Sequence, residues 1–373
     1  MAETAFPSFV IPGTFIRVQS EGLIGVGGVS TGNIGIVGTV EGHGSPPRGP
    51  EETHVISAYA DAVAEYGAYD EFDDHSRSNL MRGVEIAYRN GAGIVYARAV
   101  QSGDDPLTSP VETVPGQAAY TAAFNELLKE DVNILVAPEL STDDALAVLG
   151  PIVSSAEDQG KDVIAVIGSD AERVADIKAQ VTSNPRIVLV APGIMAYDAA
   201  AGAQVALPGN YSAAAVAGLL ASLPPQSSPT NKVLPGITRL AQRFSYGETK
   251  DLVSNRVMVL EQRQGVRVVR GVTTDDGAFA QVTTRRIVDF AKAGIRKAGN
   301  PFIGRLNNQR VRGALQGAID GFLTTMVQNE ALIAYRLEVT ASRMDEINGR
   351  VLVNAYIQPV FSIDYIAVTL VLE

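Results

Sequence analysis

The residues in this chain best suited by type to metal or acid–base chemistry are three histidines, His43, His54 and His75, and a carboxylate run, Asp70-Glu71-Phe72-Asp73-Asp74. The histidines lie 11 and 21 positions apart, so no i, i+4 pair sets two imidazoles on one helix face, and they read as exposed loop residues. The carboxylate run lacks the glycine and terminal glutamate of a calcium-binding helix–loop–helix and reads as a solvated acidic face. Cysteine is absent, which removes thiolate metal sites, iron–sulfur ligation, disulfides and a thiol nucleophile. No Gly-x-Ser-x-Gly elbow occurs, and Asp275-Asp276-Gly277 reads as a turn. The glycine-rich stretch Gly22–Gly38 lacks the Gly-Lys-Ser/Thr ending of a phosphate loop, and no Gly-x-Gly-x-x-Gly leads from a strand into a helix. Strand turns and close backbone packing account for those glycines. The expectation is therefore no catalytic, cofactor-binding or metal site.

Hydropathy patterning supplies the elements that would have to position any such group. Asn33–Thr39 predicts a buried strand, Gly42–Pro50 a loop, Ser57–Tyr66 a short helix with Ser57 as N-cap, Asn79–Asn90 a helix stopped by Gly91, and Ile94–Val100 a strand. From about Pro115 three unbroken apolar runs, Asn133–Ala137, Val163–Gly168 and Arg186–Ala191, alternate with helical stretches at Asp143–Asp158 and Ala171–Thr182. That is the pattern of a parallel sheet covered on both faces. Such a layer can house a dinucleotide, so a nucleotide-binding α/β enzyme stands as an alternative reading. The strand ends at Pro138-Glu139, Ser169-Asp170 and Pro192-Gly193 carry no glycine fingerprint, however. Ser212–Leu223 predicts a helix and Pro224–Pro235 a Pro/Ser-rich link. Val257–Gln262 and Val266–Val272 flank Gln264-Gly265 as a hairpin. Thr283–Lys297 and Asn308–Asn329 are long helices, the second with one apolar stripe at 311, 315, 319, 322, 323 and 326. Three β segments follow, Ala331–Val339, Arg350–Val360 and Ile363–Leu372.

Charge narrows the partners. Thirty Lys and Arg against 41 Asp and Glu give a net −11, which disfavours nucleic acid and anionic membrane. Met1 to Pro12 does not read as a secretory signal, and the longest apolar stretch, Ala213–Leu223, is 11 residues, short of the ~20 that span a bilayer. Eight basic residues, Arg285, Arg286, Lys292, Arg296, Lys297, Arg305, Arg310 and Arg312, stand against one acid, Asp289, a local balance of +7 that leaves −18 on the remainder. This polarity suits an acidic protein partner; the alternative is a solvated helix surface. Nucleic acid fits less well, because no aromatic platform interleaves the basic residues.

The two ends carry the stronger argument. Phe6 to Val18 mixes prolines, glycine and β-formers with no amphipathic helix, the composition of an extended arm. Ile363–Leu372 is apolar on both faces, a hazard at a free terminus unless something covers it. Strands donated to neighbouring copies satisfy both, and a contact joining two different patches builds rings or helical tubes. The alternative is that both ends pair within their own subunit.

In their shared order, several segments resemble the contractile tail sheath proteins of tailed bacteriophages and related injection machines, over nearly the whole chain. Ile11-Pro12-Gly13-Thr14-Phe15-Ile16 resembles the family's Pro-Gly-aromatic arm, and Ile34-Gly35-Ile36-Val37-Gly38-Thr39 its first core strand. Arg89-Asn90-Gly91-Ala92-Gly93 before Ile94-Val95-Tyr96-Ala97-Arg98 is similar to its turn and arginine-ended strand. Leu207-Pro208-Gly209 with Ala217-Gly218, Pro235-Gly236, Asn307-Asn308, Gly321-Phe322-Leu323, Ala331-Leu332 and Gln358-Pro359-Val360 complete the pattern. The chain departs from it at Leu207-Pro208, at Ala92-Gly93 and at Val269-Arg270-Gly271, where the family's Trp-Gly segment has no counterpart because the chain has no tryptophan.

The resemblance implies an α+β core built from both parts of the chain (21–100 and 235–360), an inserted α/β domain (101–234), and linking arms at 1–20 and 361–373. It implies a structural subunit without enzymatic activity or cofactor, polymerising as stacked hexameric rings around a tail tube and contracting to drive that tube through an envelope. The expected partners are copies of itself, the tube protein, and baseplate and terminator proteins, with no nucleic acid and no membrane insertion. The expected location is a virion tail, assembled in the host bacterial cytoplasm; a static tube or shell is the further alternative. Mapped onto this sequence, the inter-subunit arms are Phe9, Ile11, Pro12, Gly13, Phe15 and Ile16, with Phe361, Ile363, Tyr365, Ile366, Val368 and Leu370. Pro12-Gly13 and Pro359 set their exits, and the Arg285–Arg312 region faces the tube.

Overall fold

Strands that are apolar on both faces need cover on both faces, and this chain supplies it. The computed structural model describes residues 30–40, 52–67, 79–100, 116–198 and 202–371. These divide into two compact units, one of residues 30–282 with 362–371 and the other of residues 283–361.

The larger unit opens with β1 (Ile34–Thr39), β2 (His54–Ile56), α1 (Tyr59–Tyr66), α2 (Asn79–Arg89), β3 (Val95–Val100) and α3 (Gln117–Leu127). Then come β4 (Ile134–Val136), α4 (Thr142–Asp158), β5 (Ile164–Gly168), α5 (Val174–Ala179) and β6 (Ile187–Ala191). A hairpin of β7 (Ile194–Asp198) and β8 (Ala203–Leu207) leads to α6 (Gly209–Ser222), and β9 (Arg239–Leu240), α7 (Tyr246–Ser254), β10 (Met258–Gln262) and β11 (Val266–Val268) finish it. One sheet of eight strands runs in the order β11-β10-β6-β5-β4-β1-β3-β2. Its pairs from β3 to β10 are parallel, and β2 and β11 close the edges antiparallel. Alternate strand residues face two different cores. Ile34, Ile36, Val136, Val166 and Val190 pack with α2 and α6, while Val37, Leu135, Ile167 and Leu189 pack with α3, α4 and Leu252 of α7. Helix α6 is buried from Gly209 to Leu220, which explains an apolar composition all round it without a membrane. No helix among the described residues is long and apolar enough to cross one.

The sheet takes strands from 30–100, 101–234 and 235–282 alike. The two compact units divide at 282/283 and 361/362. The Pro/Ser-rich link is stitched to the sheet edge, with Asn231 N donating to Val268 O at 2.7 Å and Leu234 N to Val266 O at 2.9 Å. Helix α1 starts later than expected: Ala58, not Ser57, is its N-cap, with the Asp61 carboxylate accepting from Ala58 N at 3.0 Å. The expected β10–β11 turn is present, with Gln264 and Gly265 both at positive φ (51° and 101°).

The second unit holds α8 (Val282–Gly299, whose first residue belongs to the other unit), α9 (Gln309–Gln328), β12 (Leu332–Thr340), α10 (Arg343–Ile347) and β13 (Leu352–Pro359). Asn308 caps α9 by accepting from Val311 N at 3.0 Å. Most of the helical stripe lands in the core: Leu315, Ile319, Leu323 and Met326 are buried with Ile287, Leu332 and Ile357, and Phe322 packs against them, whereas Val311 is half-buried and stands outside that core. Strands β12 and β13 pair antiparallel into a two-stranded sheet.

Candidate functional site

In an open α/β sheet, ligand chemistry is sited outside the strand carboxyl ends where the strand order reverses, here between β1 and β4. This chain fills that place with its own groups. Glu139, just after β4, accepts from Thr39 N at 2.7 Å and from Thr39 Oγ1 at 2.6 Å at the end of β1, and from the Tyr120 hydroxyl of α3. At the end of β5, Asp170 accepts from Thr142 Oγ1 at 2.6 Å and Gln180 Nε2 at 3.0 Å. Burial works against the ionised Asp170, but these hydrogen bonds hold its carboxyl below the usual range. The first turn of α6 is pressed onto β5, with Gly168 and Gly209 in backbone contact and Asn210 Nδ2 donating to Leu140 O. Burial and the nearby Glu139 push the Tyr211 hydroxyl well above its ordinary value, with Arg82 working against them. The carboxylates and glycines at this point cross-link strands.

The other sequence candidates separate. His54 sits on β2, its Nδ1 3.5 Å from Glu65 and its ring edge-on to Tyr66 at 5.3 Å, while His43, His75 and Asp70–Asp74 lie outside the described residues. No group of three or more His, Asp or Glu among the described residues is placed to hold a metal. Asp275 makes the expected turn, Oδ2 accepting from Gly277 N at 3.0 Å and Phe279 N at 3.1 Å.

The C-terminal arm residues fall together. Residues 362–371 take no regular secondary structure and form no strand with any described residue. Ile363, Tyr365, Ile366, Val368, Leu370 and Val371 are between 74% and 86% exposed, and Phe361 is 60% exposed. Asp364 points inward, bonded to Thr230, Arg270 and Gln281, a contact that sequence reading missed. Its one signal is that Asp364 is the sole charge between Phe361 and Val371. The N-terminal arm residues Phe9, Ile11, Pro12, Gly13, Phe15 and Ile16 lie outside the described residues. In the second unit, β12 and β13 each have one outer edge without a strand partner among the described residues.

Burial divides the eight basic candidates. Arg285, Arg286 and Lys292 are buried along α8, where Arg285 Nη2 meets Asp289 Oδ1 at 2.5 Å. Burial pulls the Arg286 guanidinium down to about 10, with Asp289 opposing. Arg296 and Arg312 are half-buried, and Arg312 Nη1 bonds Glu346 Oε1 at 2.9 Å. Lys297, Arg305 and Arg310 are exposed, the last two beside Leu306 in an open depression before and within the first turn of α9. Net charge in a segment cannot distinguish these environments; the helix face that each residue occupies decides it.

Residues 113–274 match the family model described as phage tail sheath protein central domain, and residues 274–373 that of the phage tail sheath C-terminal domain. Over 222 residues the chain is 29% identical to the tail sheath protein of Mycobacterium phage Bxz1, covering 56% of this chain and 36% of that protein. The match thus spans about a third of the length of that curated relative. The fold is similar to that of the helical sheath of the anti-feeding prophage in its contracted state, with a TM-score of 0.72 at 20% identity, covering 98% of this chain and 100% of that one. It is likewise similar to the contracted PVC sheath complex of an extracellular contractile injection system, with a TM-score of 0.72 at 18% identity and 99% of each chain covered. The two family models adjoin and together run over more than half of the sequence, so the chain belongs to the phage tail sheath protein family.

Proposed function

We propose that this chain is a structural subunit of a contractile tail sheath. Copies of it polymerise as stacked hexameric rings around a tail tube, meet baseplate and terminator proteins at the ends, and contract to drive the tube through a target envelope. The observation that carries this reading is the C-terminal segment: ten residues with six large apolar side chains exposed and no strand partner among the described residues. A strand with exposed backbone donors and acceptors is a template for pairing, and the outer edges of β12 and β13, without a strand partner among the described residues, are the proposed acceptors on another copy. The N-terminal arm at Phe9–Val18 is proposed as a second donated strand, and the exposed Arg305 and Arg310 as part of the tube-facing surface.

The energies make the donated strand close to balanced on its own. Burying six large apolar side chains favours pairing by roughly 9–18 kcal/mol in all. Fixing the backbone of the ten residues costs roughly 10–20 kcal/mol. An arm ordered from scratch therefore gains little beyond its ladder of hydrogen bonds, and pre-ordering weighs heavily.

Electron microscopy of the purified full chain tests the reading. Hollow, wide cylinders are expected, whereas compact particles or narrow smooth tubes overturn it. Removing Phe361–Glu373 should leave soluble monomers, and cylinders that still form from the shortened chain would refute the assignment of the arm.

A further inference from the structure

The C-terminal segment inverts the usual relation between polarity and burial. Its six large apolar side chains face solvent, and its one charge is tucked in, the Asp364 side chain being 7% exposed. The pocket that takes it is assembled from three separate stretches. Arg270 Nε donates to Asp364 Oδ2 at 2.8 Å, Gln281 Nε2 donates to the same oxygen at 3.2 Å, and Thr230 Oγ1 donates to Oδ1 at 3.4 Å. Gln281 grips twice, its Oε1 also accepting from Ser362 N at 3.3 Å. The guanidinium of Arg270 lies 5.5 Å from the ring centre of Tyr365, a cation–π contact that continues the grip by one residue. The pocket is itself fixed: Thr230 Oγ1 accepts from Gly271 N at 3.0 Å and from Ser228 Oγ at 2.9 Å, and Val272 bridges to Gln281.

We infer that Asp364 is a positioning residue for assembly: it pins the root of the C-terminal arm to its own subunit and so fixes where and in which direction residues 365–371 leave. The inference rests on the reading of this segment as a donated strand. A purely apolar segment needs no such charge, and a carboxylate carried into an apolar strand interface is costly. Placed at the root and neutralised there by charge-assisted hydrogen bonds, it does not enter that interface. Without the pin, the loose chain starts directly after Val360, whose N–H is bonded to Ala331 O. More residues must then be ordered each time a neighbour is engaged, and affinity falls because pre-organisation is lost.

The test uses the full chain with two substitutions, D364N and R270M, singly and together. Amide exchange at residues 362–366 of the unassembled subunit is expected to quicken by about tenfold or more in each variant as charge-assisted bonds are lost. The lowest concentration at which cylinders form is expected to rise about tenfold. The double variant should be no worse than the worse single one, because both remove the same interaction. Three results overturn the inference: exchange at 362–366 that is already fast in the wild type, faster exchange with an unchanged assembly threshold, or a lowered threshold, which marks a restraining latch. The shortened chain lacking Phe361–Glu373 separates this from the broader reading. If truncation abolishes cylinders while D364N leaves the threshold untouched, the arm stands and the pin falls; if the truncated chain assembles, the arm itself falls.

Discussion

Replacing Gly168 with alanine tests the claim that the end of the parallel sheet is closed by its own backbone. Gly168 ends β5 and faces the first turn of α6. A Cβ there would fall inside the van der Waals envelope of Gly209 O and C and would stand 2.5 Å from Asn210 N, where Cβ atoms essentially never come within 3.0 Å. The obstructing atoms are main chain, so no rotamer change relieves them. Helix α6 must move by about an ångström, and it is buried along Gly209–Leu220 against the sheet and α2. Forced overpacking of a close-packed core costs about 1–3 kcal/mol, and backbone against backbone belongs at or above the upper end. We expect about 3 kcal/mol, a fall in the urea midpoint of roughly 1–2 M. The assay is urea denaturation of the unassembled subunit, with pulsed amide exchange reporting on β5 and β6. Gly317→Ala is the control: in the middle of α9 its Cβ meets nothing within 4 Å, so helix propensity alone should stabilise it by ~0.5–1 kcal/mol. A Gly168→Ala protein within about 1 kcal/mol of wild type would refute the reasoning and reopen the switch point as a ligand site.

Reversing the charge of Arg305 and Arg310 together should weaken co-sedimentation with purified tubes by about five- to tenfold at low salt, and by less at high salt, while leaving self-association nearly unchanged. Equal losses in both would remove this surface as the tube contact. Acid should loosen the end of the β12–β13 hairpin. Hydrogen bonds from Arg312, then Arg343, hold Glu346 below its ordinary 4.5, and bonds from the Ser342 side chain and backbone, with Arg350, hold Asp345 below 3.8. Because both values are depressed in the folded state, their contribution is full above the ordinary values and lost as pH falls through the depressed ones. Amide protection over residues 342–350 should therefore be constant from pH 7 to about 5 and drop below about 4. Protection that persists to pH 2.5 counts against the network.

What the sequence reveals depends on how local its cause is. Strands β1, β4, β5 and β6 are legible because both their faces are buried, so burial writes an unbroken apolar run into adjacent positions. The β7–β8 hairpin is not, since Ala203-Gln204-Val205-Ala206-Leu207 has no β-branched majority and is held extended by its pairing with β7, Ile194 opposite Leu207. The segment Pro224–Pro235 has the composition of a linker, yet its amides cover the β11 edge, a role that only tertiary contacts confer. The apolar run from Phe361 to Val371 is legible because its composition is local, although its large apolar side chains are exposed in the single chain. The pocket for Asp364 is invisible, because Thr230, Arg270 and Gln281 come from different parts of the chain and no periodicity connects them.

The same separation between local and long-range causes bears on where a sheath can keep its energy. A contraction that buries a further ~200 Å² of apolar surface per subunit is worth about 5 kcal/mol. The entire folding stability of a domain is about 5–15 kcal/mol. Storing the stroke as strain inside each subunit would therefore put folding itself at risk, and the interior of the larger unit has little slack to strain: its sheet is packed on both faces, and α6 touches β5 main chain to main chain. Bistability belongs instead between subunits, where surfaces can exchange one packing for another without opening a core. On the proposal that the terminal segments join neighbouring copies, those segments must hold through the exchange, transmitting force while the surfaces they join slide. A strand ladder loaded along its length resists parting, but only if its root does not peel. A buried carboxylate at that root, held from three directions, is the kind of fastening such loading demands.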